Sequence, residues 1–190
     1  MLKLTVYGTP VGKGSMKCVG ARGKVAHQLV ASNLGALRPW SESLTNAVAK
    51  AAARGHRFEG PVGVYATITV PRPPSNRDLL PTRRSKGGDV DKQQRTLLDA
   101  LTDGGLIRDD SQVVQVEAVT VFPDTPLLVD EDGHAIGKAG RLQAPGVVVF
   151  VYGVLVVCRE CDGVGEVPDP SGGGKGLAYC PTCDGKGVES

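Results

Sequence analysis

The chain has 190 residues, 41% of them hydrophobic and 22% charged, a composition typical of a soluble globular protein with one sizeable core. The longest apolar run, residues 147–157, is interrupted by Gly153 and is too short to span a bilayer; with no signal-peptide pattern at Met1-Leu2-Lys3-Leu4, the expected location is cytoplasmic, off the membrane. A net charge of +2 hides a polarity, because residues 1–95 hold 16 of the 22 Lys and Arg but 5 of the 20 Asp and Glu, which suggests an anionic partner for the first half unless folding interleaves the charges.

In chain order, residues 2–7 alternate apolar and polar, as a strand does. The following Gly8-Thr9-Pro10-Val11-Gly12-Lys13-Gly14-Ser15-Met16-Lys17, with Arg22 and Lys24, reads as a flexible basic loop. It is not a phosphate-binding Walker loop, since Gly14 follows Lys13 where Ser or Thr is required. Pro39 marks the expected first position of a helix ending near Arg54, with Trp40, Leu44, Val48 and Ala51 on one face and Gly55 as the stop. Residues 62–70 alternate as a strand. Residues 71–86 are proline-rich, carry Arg72, Arg77, Arg83, Arg84 and Lys86, and read as a second basic loop. A helix follows, with Val90, Leu97, Leu98 and Leu101 as its apolar face. Residues 112–121 and 147–157 are strands, and Asp130-Glu131-Asp132-Gly133-His134 is the tip of a hairpin arm. The order β-α-β-α-β-β predicts an α+β domain with a mixed sheet and two main helices over residues 1–157, followed by a small module at 158–190.

That module holds Cys158, Cys161, Cys180 and Cys183 in a C-x2-C-x18-C-x2-C pattern, the spacing of a four-thiolate zinc site. Each pair is followed by Asp-Gly-x-Gly, whose glycines permit turns that direct amides at sulfur. The repeats resemble the C-x-x-C-x-G-x-G units of the DnaJ-type zinc-binding domain. Two disulfides would need an oxidising compartment, so structural Zn2+ is expected, its sphere closed by four thiolates. Cys18 has no partner at ligand spacing.

The densest chemistry lies between the basic and acidic halves. Asp89, Asp91, Asp99, Asp109 and Asp110 fall within 22 residues, and carboxylates so close need a cation among them, for which a hard divalent ion is suited. An EF-hand starting at Asp89 fails, because Gln94 and Ala100 stand where Gly and Glu are required. The plain structural alternative is Asp91 as a cap and Asp91–Arg95–Asp99 as an i,i+4 ion-pair ladder, which leaves Asp89, Asp109 and Asp110 unexplained.

Asp89-Val90-Asp91, Arg95, Leu98-Asp99-Ala100-Leu101 and Asp109-Asp110-Ser111-Gln112-Val113, in that order, resemble the signature of the RusA family of Holliday-junction resolvases. Lys92 stands where the family commonly has Asn, and Arg95 where it usually has Lys. The resemblance implies an Mg2+- or Mn2+-dependent endodeoxyribonuclease that resolves branched DNA by paired symmetric cuts in recombination and repair, as a homodimer; such enzymes are often of phage origin. It implies Mg2+ ligation by Asp89, Asp91 and Asp110, with Asp109 contributing. Arg95 would neutralise transition-state charge, suiting electrostatics but not proton transfer. Lys13, Lys17, Arg22, Lys24, Arg83, Arg84 and Lys86 would contact the DNA backbone. The cysteine module is locally acidic, which argues against it as the main DNA grip. Two other classes compete: a branched-DNA-binding or regulatory protein that does not cleave, its carboxylates satisfied by Lys92 and Arg95, and a zinc-module adaptor that binds proteins.

Overall fold

The computed structural model describes residues 1–19, 28–81, 89–137, 140–168, 177–184 and 186–189, in two compact units, Met1–Gly153 and Val154–Ser190. The first unit runs β1 (Leu2–Tyr7), β2 (Met16–Val19), β3 (Gln28–Ala31), α1 (Leu34–Ala53), β4 (Val62–Thr69), α2 (Val90–Asp103), β5 (Val113–Val121), β6 (Leu128–Val129), β7 (Ala135–Ile136) and β8 (Gly146–Gly153). The second holds β9 (Val156–Val157), β10 (Glu166–Pro168), β11 (Leu177–Tyr179) and β12 (Val188–Glu189).

A mixed sheet in the order β1-β8-β4-β5 organises the first unit. β8 pairs antiparallel with β1 and with β4, whereas β4 and β5 are parallel. A parallel pair requires a crossover, and α2 lies in that connection, so the end of the acidic helix is carried straight to the start of β5. Register puts Val6, Ile68 and Val147 side by side, and likewise Val64 and Val151, on one face. These apolar residues pack with Trp40, Leu44 and Val48 of α1 and Leu97 and Leu101 of α2 into a single core. The helices meet where Gly104 faces Val48: a Cβ on Gly104 would stand 2.5 Å from the Val48 side chain.

Several elements differ from expectation for identifiable reasons. The first basic segment is not loop throughout, because Met16–Val19 pairs with Gln28–Ala31 as a two-stranded ribbon. α1 starts at Leu34, with Asn33 at the N-cap position, and Pro39 lies inside the helix and not at its first position. Val90 is exposed rather than part of the apolar face. The last long strand ends at Gly153, and Val156–Val157 pairs instead with Val188–Glu189 in the second unit. Arg72 of the second basic loop is structural: it pairs with Asp124, donates to the carbonyls of Asn76 and Asp78, and lies 4.1 Å over the Phe122 ring.

Candidate active site

Asp89 is the N-cap residue of α2, with an extended backbone whose carbonyl accepts from the amides of Lys92 and Gln93, both at 3.1 Å. Its carboxylate caps nothing. Instead Oδ2 receives the Lys92 ammonium at 2.9 Å, and that hydrogen bond, with the charge of Asp89 and a smaller pull from Asp91, raises the Lys92 pKa. Asp91 follows in the first turn, where the helix dipole favours negative charge. Arg95 is exposed one turn on. Among the described residues neither rung of the alternative Asp91–Arg95–Asp99 ladder forms an ion pair, and Asp99 pairs elsewhere: its Oδ2 takes the ammonium of Lys13 at 2.7 Å.

Lys13 reaches Asp99 because its loop is fastened along α2. The Lys13 amide donates to the Lys92 carbonyl at 3.1 Å, and the Thr96 hydroxyl lies 3.3 Å from the Val11 carbonyl. From the other side, the Asn33 carboxamide grips both peptides that flank Lys13. Its Nδ2 donates to the Gly12 carbonyl at 2.9 Å, and its Oδ1 accepts from the Gly14 amide at 2.8 Å. Asn33 makes no capping bond to α1, forgoing a contact usually worth about 1 kcal/mol. Neither glycine has room for a side chain: a Cβ on Gly12 would stand 2.8 Å from Lys92 Cβ, and one on Gly14 2.5 Å from Asn33 Oδ1.

After α2 the chain enters a 3-10 turn at Asp110–Gln112, capped by Asp109, whose Oδ1 accepts from the Ser111 amide at 2.9 Å. Hydrogen bonds from Ser111 hold the Asp109 carboxyl below the usual carboxylate range. Gln112 fixes the turn to the segment preceding β4. Its Nε2 donates to the carbonyls of Phe58 at 3.1 Å and Gly60 at 2.8 Å, and its Oε1 accepts from the Arg108 amide at 2.7 Å.

These elements line an open cavity of about 330 Å3 formed by Lys13, Asp99, Thr102, Asp103, Asp109 and Asp110. Asp109 and Asp110 therefore stand together with Asp99. Asp91 lies two turns up the helix from Asp99, about 12 Å along its axis at 1.5 Å per residue. Among the described residues, no three acidic side chains of this region bring ligand atoms within 4.8 Å of one another. Two participants escape the motif pattern: Asp103, whose signal is its i+4 spacing from Asp99, and Asn33. Of the expected DNA contacts, Lys13 is described in full and Lys17 only as backbone within β2. Arg22, Lys24, Arg83, Arg84 and Lys86 lie outside the described residues.

At the hairpin tip, Asp130, Asp132 and His134 bring ligand atoms within 4.8 Å. Asp130 Oδ1 already accepts from the amides of Asp132 at 3.0 Å and His134 at 2.8 Å, so the cluster follows from a self-satisfied turn.

In the second unit the four cysteines are buried and form no disulfide. Sγ of Cys158 lies 3.7 Å from that of Cys180, and Cys161 is 3.7 Å from Cys183. Four thiolates at about 2.3 Å from one ion stand about 3.8 Å apart at the corners of a tetrahedron, so the spacing is one at which they can hold a single metal. The halves repeat every 22 residues. Gly165 and Gly187 donate to Cys161 and Cys183 Sγ at 3.3 Å, and Cys158 and Cys180 donate to the carbonyls of Gly187 and Gly165. Asp162 and Asp184 both adopt positive φ, 47° and 50°. Burial pushes the Cys158 thiol up to about 11, so a metal binding there displaces a proton.

Among the described residues no helix is long and apolar enough to cross a membrane. Comparison with curated proteins gives no match for the chain. The model of the family described as endodeoxyribonuclease RusA matches residues 8–129. The match runs from the loop that carries Lys13, through both helices and the Asp109–Asp110 turn, to the first strand of the arm, and the chain belongs to the RusA endodeoxyribonuclease family.

Proposed function

We propose that this protein is a divalent-metal-dependent endodeoxyribonuclease that resolves four-way DNA junctions by paired, symmetric cuts, acting as a homodimer in recombination and repair. The observation that carries the reading is the family match over residues 8–129. It is supported by the cavity in which Asp109 and Asp110 stand with Asp99, Asp103 and Lys13. Those donors suit Mg2+ or Mn2+, which take hard oxygen ligands, few carboxylates and several waters. Asp89 and Asp91 at the start of α2 and Asp110 in the following turn would hold the ion, with Asp109 contributing. When bound, such an ion activates water and stabilises charge on phosphate oxygens.

In the reaction, a water oxygen bonds to phosphorus while one bridging P–O bond breaks. A carboxylate takes the water's proton and the leaving oxygen is protonated, so a phosphate end and a hydroxyl end result. Arg95, exposed on α2, offers fixed positive charge to the equatorial oxygens. Lys13 and Lys17, with Arg22, Lys24, Arg83, Arg84 and Lys86, would hold the DNA by phosphate contacts. Two symmetric cuts require two sites, hence a two-fold dimer. The cysteine unit would carry one structural Zn2+ on Cys158, Cys161, Cys180 and Cys183.

The non-cleaving alternative is favoured by one observation, the Lys92–Asp89 pair at 2.9 Å, which satisfies a carboxylate without metal. One experiment separates the two readings: incubation of a synthetic four-way junction and a linear duplex of the same arms with the protein, in Mg2+ and in chelator, beside Asp91→Asn. Symmetric nicks on the junction alone, lost in chelator and in the variant, are expected. Tight junction binding with no cut, unchanged in Asp91→Asn, would replace the nuclease reading with the binding one.

A further inference from the structure

We infer that Lys13 is a catalytic residue of this site, its ammonium contacting a non-bridging oxygen of the scissile phosphate, and that Asn33 is the positioning residue that holds it there. The inference rests on the nuclease reading and deepens it, moving Lys13 from the backbone contacts to the reaction centre.

Three observations carry it. First, the Lys13 ammonium lies within the acidic cavity, on Asp99 Oδ2 at 2.7 Å, with Asp109 and Asp110 among the other lining residues. A lysine that merely tracks the DNA backbone belongs on an open surface, whereas this side chain is only 29% exposed. An ammonium has three N–H donors and Asp99 occupies one. Phosphate, an oxyanion like the carboxylate, can share the cation with Asp99 or take its place.

Second, the backbone at Lys13 is fixed from two sides. Asn33 binds the Gly12 carbonyl and the Gly14 amide, and the Lys13 amide itself bonds to the Lys92 carbonyl on α2. A long flexible side chain is costly to aim, and restraint of both adjoining peptides reduces that cost where position matters.

Third, this restraint excludes other residues. Gly12 and Gly14 lie too close to Lys92 and Asn33 for any Cβ, and Asn33 holds the loop without capping its own helix. The Gly-Lys-Gly sequence that fails as a nucleotide-binding loop thus has a local reason: it lets a lysine lie flat against α2 and point along it toward Asp99.

The test uses the full chain and a labelled four-way junction. Junction affinity is measured in chelator and single-turnover cleavage in Mg2+, for wild type, Lys13→Ala, Lys13→Arg and Asn33→Ala, with ethylammonium added in a parallel series. Loss of a preorganised cation at the reacting phosphate predicts a rate drop of about 100-fold in Lys13→Ala. Affinity should fall less than about threefold, since one phosphate contact among several is removed. Ethylammonium should restore part of the Lys13→Ala rate, and tetramethylammonium, which has no N–H donor, should not. Asn33→Ala should lower the maximal rate and leave affinity unchanged; circular dichroism checks that each variant is folded. If wild type cuts and Lys13→Ala cuts as fast, or loses affinity and rate in equal measure without amine rescue, the Lys13 assignment is overturned while the nuclease reading stands. If wild type cuts nothing, both fall together.

Discussion

Gln112 offers the sharpest test of how the fold positions the acidic turn. Its side chain makes three hydrogen bonds, two donated to the carbonyls of Phe58 and Gly60 and one accepted from the Arg108 amide, tying the turn that bears Asp109 and Asp110 to the segment entering β4. Each such bond contributes about 0.5–1.5 kcal/mol net. The groups are partly open to water, which replaces some of what is lost, so Gln112→Ala should cost about 1–2 kcal/mol. Gln112→Glu is the more telling change. It preserves size and the acceptor for Arg108, but it removes both donors and sets a carboxylate against two carbonyl oxygens. The expected order of stability is therefore wild type, then Gln112→Ala, then Gln112→Glu. Urea unfolding followed by Trp40 fluorescence measures it, since Trp40 is buried in the core of the first unit. If Gln112→Glu is as stable as wild type, the three bonds do not hold the turn and the account of how Asp110 is placed fails.

Three further predictions follow from distances in the structure. Gly12→Ala would force its Cβ to 2.8 Å from Lys92 Cβ; overpacking of this kind costs about 1–3 kcal/mol, measurable as a lowered urea midpoint, and an unchanged midpoint would mean the loop is not seated on α2. Lys92→Asn removes an exposed ion pair and should change stability by less than about 1 kcal/mol, yet Mn2+ titration followed by electron paramagnetic resonance should show tighter binding once Asp89 is released. Metal analysis should find one zinc per chain, lost when Cys158 or Cys180 is replaced by Ser; the near-ultraviolet signal of Trp40 should survive that loss, because the cysteines belong to a separate compact unit.

Much of the fold was legible because periodicity records burial. The apolar residues of β4 and the helically spaced Trp40, Leu44 and Val48 are buried in the core, although Thr67 and Thr69 in the other phase of β4 are buried too. Boundaries were less legible where two signals competed. Pro39 is a common first residue of a helix, but α1 begins at Leu34, behind an Asn whose side chain is committed to the loop instead of the helix. Residues 147–157 read as one apolar run, but the chain divides at Gly153, and sequence hydropathy does not say which partner a strand will find. The cysteine pairs were legible outright, since ligand spacing depends on local chain geometry alone. The acidic cluster was legible as a motif, and its internal arrangement was not. Which carboxylate meets which cation depends on contacts such as Lys13 with Asp99, separated by 86 residues, and no local pattern encodes these.

The ion pairs suggest how the site tolerates its own charge. Of the acidic side chains of this helix and turn, Asp89 is paired with Lys92 and Asp99 with Lys13, while one oxygen of Asp109 is occupied by the Ser111 amide. The two lysines belong to different segments but are joined through backbone, because the Lys13 amide is bonded to the Lys92 carbonyl. Moving the loop off the helix would separate Lys13 from Asp99 and leave Asp99 facing Asp103, Asp109 and Asp110 across the cavity, so the loop and the helix are held in register by electrostatics as well as by packing. Both pairs are open to water on at least one side, Lys92–Asp89 more than Lys13–Asp99, and are individually weak. A divalent ion can therefore displace either lysine, and a phosphate either carboxylate, at small cost, which is what a site that must exchange its counter-ions during a reaction requires. Removing both ammonium groups together, in Lys13→Ala/Lys92→Asn, should then destabilise the first unit by about the sum of the single changes, since Asp89 and Asp99 stand about 15 Å apart along α2, and added Mn2+ should reverse part of that loss. A loss that Mn2+ leaves unchanged would show that the two pairs are plain surface contacts whose carboxylates take no divalent ion in place of the lysines.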